Sequence, residues 1–154
     1  MALDRLVRYL DDQGIRYVSI RHSPAFTAAE VAESTHVAAR SFAKTIIIKV
    51  EDGPEMLVLP ANRRILIHEL REMLETEHVK LASEREIREL FPDCELGAMP
   101  PVGPLYGLKV HVTESLTRER EITFNAGTHT ETITMAYADF ERLVHPAVID
   151  LVTA

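Results

Sequence analysis

Thr45-Ile46-Ile47-Ile48-Lys49-Val50, then Glu51-Asp52-Gly53-Pro54, then Met56-Leu57-Val58-Leu59, is the stretch that decides the fold class of this chain. A run of β-branched apolar residues reads as a buried strand. The acidic, Gly and Pro cluster after it reads as a turn, and the second apolar run as the return strand, so a hairpin is predicted. Strands joined by a short turn need no helical crossover, which argues against a doubly wound parallel sheet.

Working outward, helical and strand patterns alternate around this hairpin. Leu3, Leu6, Val7 and Leu10 recur at helical spacing, with Gly14 as a stop. Ile15 to Ile20 alternates apolar and polar residues and predicts a strand, broken by Ser23-Pro24. Thr27 with Glu30 is a capping-box pattern opening a helix through about Val37. Downstream, Asn62 is a candidate cap for a helix with Ile65, Leu66, Leu70, Met73 and Leu74 as its apolar stripe. Val79 to Ala82 predicts a short strand, and Ser83 with Glu86 a second capping box, whose helix ends at Pro92. Leu108, Val110 and Val112 share one strand face. Ile122 and Phe124, then Ile133 and Met135, predict a hairpin around Gly127, and Tyr137 to Val144 a last helix before Pro146. The sum is an α+β fold with a mixed sheet, read as one domain over residues 1–154.

Composition narrows the function. The net charge of −7 opposes an extended nucleic-acid footprint, which needs an electropositive face. It leaves room for a few local cations holding one end of a nucleic acid, or for a small ester substrate. No apolar run approaches the roughly 20 residues of a membrane span. The N-terminus lacks the basic and apolar regions of a signal peptide. The single cysteine, Cys94, excludes an internal disulfide and fits a reducing cytoplasm. The histidines show no metal-ligand spacing, and no nucleophile elbow or phosphate loop is present. Neither metal nor cofactor is expected.

Two loops stand out: Gly97-Ala98-Met99-Pro100-Pro101-Val102-Gly103 and Asn125-Ala126-Gly127-Thr128-His129. The first is stiff at its prolines and permissive at its glycines. Its N–H groups at Gly97, Ala98, Met99, Val102 and Gly103 are candidate donors to a developing oxyanion, with the proline pair walling a pocket. Lys44, before the apolar run, is either snorkelling to water or aimed into a pocket. His129 is the candidate titrating group. Thr27 caps a helix or lines the pocket, His22 flanks the same break, and Asn125 reads as a loop-fixing side chain bonded to backbone.

His22-Ser23-Pro24 with Thr27 and Glu30, Lys44 before its strand, the two glycine loops and the closing Asp139-Phe140 resemble, in that order, the YbaK/prolyl-tRNA-synthetase-associated family. The resemblance runs from Ile15 to about Val144. It implies a curled, partly closed mixed sheet with helices packed outside. It also implies a free-standing, metal-independent deacylase of mischarged tRNA carrying a small amino acid, acting on the tRNA acceptor end, with an aminoacyl-tRNA synthetase as a candidate partner. Lys44, Gly97, Ala98 and His129 are then the expected catalytic residues. His22, Thr27, Met99, Pro100, Pro101, Val102, Gly103, Gly127 and Thr128 are the expected substrate-binding ones. Many relatives carry Ser-Pro or Thr-Pro where this chain has Pro100-Pro101. The rival expectation is a non-catalytic module that binds the tRNA end and regulates a synthetase.

Overall fold

The computed structural model describes residues 2–22, 30, 32 and 37–150. The Ser23-Pro24 break, Thr27 and most of the helix expected through Val37 lie outside the described residues.

Helix α1 (Ala2–Asp12) buries Leu6 and Leu10, a four-residue spacing that puts both on one face. Gly14, at a φ of 69°, turns the chain out of it. Strand β1 (Tyr17–Arg21) follows. A 3-10 turn (Ala39–Ser41) leads into β2 (Ala43–Val50), which pairs antiparallel with β3 (Gly53–Pro60) along its whole length. The hairpin loop is Glu51-Asp52, both with positive φ (52° and 65°). That is the signature of the two-residue turn whose twist matches the flanking strands.

Helix α2 (Ile67–Met73) starts later than expected: Leu66, not Asn62, is its N-cap, with no side-chain capping bond. The Ala61 N–H bonds Phe42 O and the Arg63 N–H bonds Pro60 O, so Asn62 lies inside the turn that closes β3. Strand β4 (Val79–Leu81) pairs with the far half of β2. Helix α3 (Glu84–Leu90) carries the predicted capping box between Ser83 and Glu86. The expected β5 (Val110–Thr113), β6 (Glu121–Asn125), β7 (Glu131–Ala136) and α5 (Tyr137–Val144) follow, with a second 3-10 turn (Gly103–Tyr106) before β5 and a short helix α4 (Glu114–Thr117) after it that the sequence reading did not anticipate. Strand β8 (Ala147–Ile149), beyond Pro146, was not anticipated and runs parallel to β5.

The sheets are three-stranded (β1-β7-β6) and five-stranded (β4-β2-β3-β5-β8). Antiparallel hairpins coexist with the parallel β3–β5 and β5–β8 pairs, giving the mixed α+β sheet expected. A parallel bridge between Phe42 and Thr123 joins the two sheets edge to edge, which curls them without closing a barrel. The main core lies inside the curl, with Leu6, Leu10, Ala43, Ile47, Met56, Val58, Phe124 and Ile133. A second cluster, Ile48, Leu57, Leu59, Leu70 and Val79, covers the opposite face of the large sheet. Strand β2 is therefore covered on both faces, which explains its unbroken apolar run. Each such buried side chain contributes about 1.5–3 kcal/mol.

Candidate active site

The two glycine loops form one structure. Glu95 N–H donates to Gly127 O (2.8 Å), and Gly127 N–H donates to Ala98 O (2.9 Å). His129 fastens them from below: its Nε2 lies 2.8 Å from Leu96 O and its N–H donates to Glu95 Oε1 (3.0 Å). A ring nitrogen facing a carbonyl must donate, which fixes the tautomer protonated at Nε2. His129 is buried and serves here as a clamp on the loop.

Only part of the first loop faces outward. Gly97 is exposed, with φ at 85° in the region that favours glycine. Met99 is 5% exposed. Neither Gly97 nor Met99 gives its N–H to a backbone carbonyl among the described residues, whereas Ala98 N–H is committed to Glu95 O (3.0 Å). Ala98, Pro100, Pro101, Val102 and Gly103 are buried as scaffold. A Cβ on Gly103 would meet Leu108 O and Val110 Cγ2 at 2.4 Å, so that glycine is demanded by packing.

Strand β2 approaches this loop with an open edge. Its pairing with β4 ends at Ile48, extended by the bond from Ala82 N–H to Ile47 O, and its contact with β6 is the bridge at Phe42. Between them the outer edge carries no ladder among the described residues. Strand alternation turns the N–H and C=O of Thr45 to that edge, as it does those of Ile47. An open cleft of about 250 Å³ occupies the gap, lined by Thr45, Ile46, Ile47, Leu96, Gly97 and Met99 with parts of α3. The Thr45 Oγ1 atom is buried without a hydrogen-bond partner among the described residues.

Lys44 does not line that cleft. It is half-buried on the alternate face of β2, shared with Phe42 and Ile46, and Ile46 does line the cleft. Burial foremost, and then the charge of Arg64, hold its pKa below the ordinary lysine value. Residues paired across a parallel bridge point the same way, so Phe42 and Thr123 share a face. Two residues further along each strand, where the strands part, stand Lys44 and Asn125 on that face. Just beyond Asn125 stands Gly127, whose N–H holds Ala98 O of the first glycine loop.

His22 extends the β1–β7 pairing, its N–H donating to Thr130 O (2.7 Å), and so adjoins the second loop. Thr128 shapes the loop tip: its Oγ1 lies 3.2 Å from Thr130 Oγ1 and accepts the Thr130 N–H. Gly127, at φ 99°, is required by the close approach of Ala2, whose Cβ stands 2.4 Å from where its own would be. Asn125 does not fix the loop through its carbonyl oxygen: Oδ1 is buried without a partner among the described residues, as is Oγ1 of its cross-strand neighbour Thr132. Thr45, Asn125 and Thr132 are the polar groups that sequence reasoning did not assign to substrate. The Lys44-Thr45 pair was the available signal.

Burial raises the Cys94 thiol to about 11, opposing a thiolate nucleophile. No group of three or more His, Cys, Asp or Glu among the described residues is placed to hold a metal ion. No helix among them is long and apolar enough to cross a membrane. A surface groove along Lys49, Asp52, Arg71, Glu77 and His78 contains no residue of either glycine loop.

Residues 22–143 match a family model described as aminoacyl-tRNA editing domain. The chain is 28% identical over 152 residues to the multifunctional Ser/Thr-tRNA deacylase ProXp-y of Escherichia coli K12, covering 95% of this chain and 90% of that protein. Among solved structures, a candidate trans-editing enzyme for prolyl-tRNA synthetase superposes with a TM-score of 0.82 at 22% identity, covering 97% of this chain and 96% of the other. Hypothetical protein APE2540 superposes with a TM-score of 0.83 at 21% identity, covering 95% and 97%.

Proposed function

The chain belongs to the aminoacyl-tRNA editing domain family, and from that membership we propose that it hydrolyses the ester of a mischarged tRNA carrying a small amino acid, acting in trans. The deacylase name of a relative that matches nearly end to end supports the reading. So does a cleft of about 250 Å³, which suits a short side chain on a terminal ribose.

One observation carries the mechanism: Thr45 on the open edge of β2 lines the same cleft as Gly97 and Met99, whose N–H groups bond no backbone carbonyl among the described residues. Ester hydrolysis needs donors placed where negative charge develops and held there beforehand. Gly97 and Met99 N–H supply them from a loop clamped by His129 and stitched to Gly127. Of the expected donors Ala98 drops out, because its N–H is already given to Glu95 O. Thr45 lines the same cleft, and its buried, unpartnered Oγ1 is the hydroxyl at hand there to hold the attacking water or the acyl oxygen. Lys44 and Arg64 form a local pair of cations on the adjoining face, suited to the terminal phosphate of an acceptor end, so an acidic chain can still bind one end of a tRNA. His129 is assigned to positioning, not to proton transfer.

A panel of mischarged tRNAs assayed for deacylation, with wild type and Lys44→Ala, tests this. Turnover of at least one small aminoacyl-tRNA, lost in Lys44→Ala, is the expected result. Tight binding of charged tRNA with no hydrolysis of any member would establish the non-catalytic module instead.

A further inference from the structure

On the outer face of the three-stranded sheet, two polar pairs stand side by side in the β6–β7 register: Thr123 opposite Thr134, and Asn125 opposite Thr132. The first pair is closed, its hydroxyls 2.6 Å apart. The second is open. Asn125 is 6% exposed and Thr132 1%, yet Asn125 Oδ1 and Thr132 Oγ1 have no hydrogen-bond partner among the described residues. Buried polar atoms without partners are costly and uncommon in native structures. Here they share the face of Lys44, at the fork where β2 leaves β6.

We infer that Asn125 and Thr132 receive an uncharged hydroxyl of the substrate and so help determine which substrates are accepted; this rests on the deacylase reading above. The chemistry is complementary both ways. A carboxamide oxygen accepts the hydroxyl proton, and the threonine hydroxyl donates back to the hydroxyl oxygen. An ammonium group is disfavoured there, because the Lys44 cation stands on the same face. The neighbouring carboxylate, Glu131, alternates to the other face and is paired with Arg21 at 2.8 Å. A substrate lacking the hydroxyl leaves both buried groups unpaired, the situation in which discrimination is strongest. The hydroxyl has two sources, a serine or threonine side chain on the acyl group and the vicinal hydroxyl of the terminal ribose.

The experiment titrates three non-hydrolysable analogues against the full chain: seryl-3′-amino-adenosine, its alanyl counterpart, and the 2′-deoxy form of the alanyl compound. Wild type is compared with Thr132→Val, which keeps the shape of the side chain, and with Asn125→Ala. Denaturant midpoints verify folding. If the acyl side chain supplies the hydroxyl, wild type prefers the seryl analogue at least about tenfold, and the variants lose that preference with alanyl affinity unchanged. If the ribose supplies it, the variants weaken seryl and alanyl binding alike, and only wild type distinguishes the 2′-deoxy compound. Unchanged affinities for all three analogues in a folded Thr132→Val overturn the assignment. Deacylation of Ser-tRNA and Ala-tRNA is followed in parallel. Analogue binding that follows these patterns without any turnover sinks the deacylase reading alone, whereas turnover with analogue affinities indifferent to both variants sinks only the hydroxyl reading.

Discussion

The Cε1 atom of His129 stands 3.5 Å from the point at which a side chain on Gly97 would begin. That is ordinary contact distance, so space does not forbid a methyl group at Gly97. The backbone does: a φ of 85° strains any L-residue by roughly 1–2 kcal/mol. Gly97→Ala is expected to lower stability by about that amount and to reduce deacylation far more than the stability loss explains, because relaxing the strain swings the Gly97 and Met99 N–H groups. Denaturant melts alongside single-turnover rates measure both; a folded variant with wild-type turnover would remove the loop from the mechanism.

Gly103 sits in the same loop and predicts the opposite division of effects. Its added Cβ would run into Leu108 O, which is backbone and cannot step aside. Gly103→Ala should cost about 1–3 kcal/mol of stability through overpacking. The fraction that remains folded should retain nearly full specific activity, because Gly103 is buried away from the cleft.

A donor at position 129 is what holds Leu96 O. His129→Gln can supply an N–H to that carbonyl and should retain activity within a few-fold, whereas His129→Ala leaves a buried carbonyl unpaired at a cost of about 1–3 kcal/mol. A proton-transferring histidine would instead lose about 10²–10⁴ in rate in both variants. Comparison of the two kcat values decides between these roles.

Lys44 provides a pH test. Its pKa is lowered, first by desolvation and then by Arg64, so folding disfavours its ammonium form. The resulting cost is present below the folded pKa and is relieved as pH rises from there toward the unfolded value. Activity that needs the ammonium should fall as pH passes upward through the lowered pKa. Arg64→Gln removes one of the two causes and should move that alkaline limb to higher pH. An unmoved limb would show that Lys44 does not set it.

Thr45→Val replaces a buried, unpartnered hydroxyl by a methyl group of similar shape. It should raise the unfolding free energy by on the order of 1 kcal/mol while slowing turnover. Faster or unchanged turnover would exclude the Thr45 hydroxyl from the reaction.

Much of this geometry was legible in the chain itself. The β2–β3 hairpin announces itself through Asp52-Gly53 between apolar runs, and Ser83 with Glu86 gives the start of α3, because both signals are local. The joining of the two glycine loops and the placing of Lys44 and Asn125 on one face were not local. The first rests on backbone bonds between Glu95, Ala98 and Gly127, which any residue types could make. The second rests on a single bridge between Phe42 and Thr123. Asn62 misled because a good capping residue also suits a turn, and the chain spends it on closing β3. Strand β8 was missed because Ala147–Ile149 is too short to show a period.

The parting of β2 from β6 sets stability against use. Had the ladder continued past Phe42, the sheet would have zipped shut over Thr45, gaining backbone bonds and losing the only opening that Gly97 overlooks among the described residues. Substitutions that draw these strands together should therefore yield a hardier, catalytically silent protein, and selection for thermal endurance alone would erase the reactive crevice first.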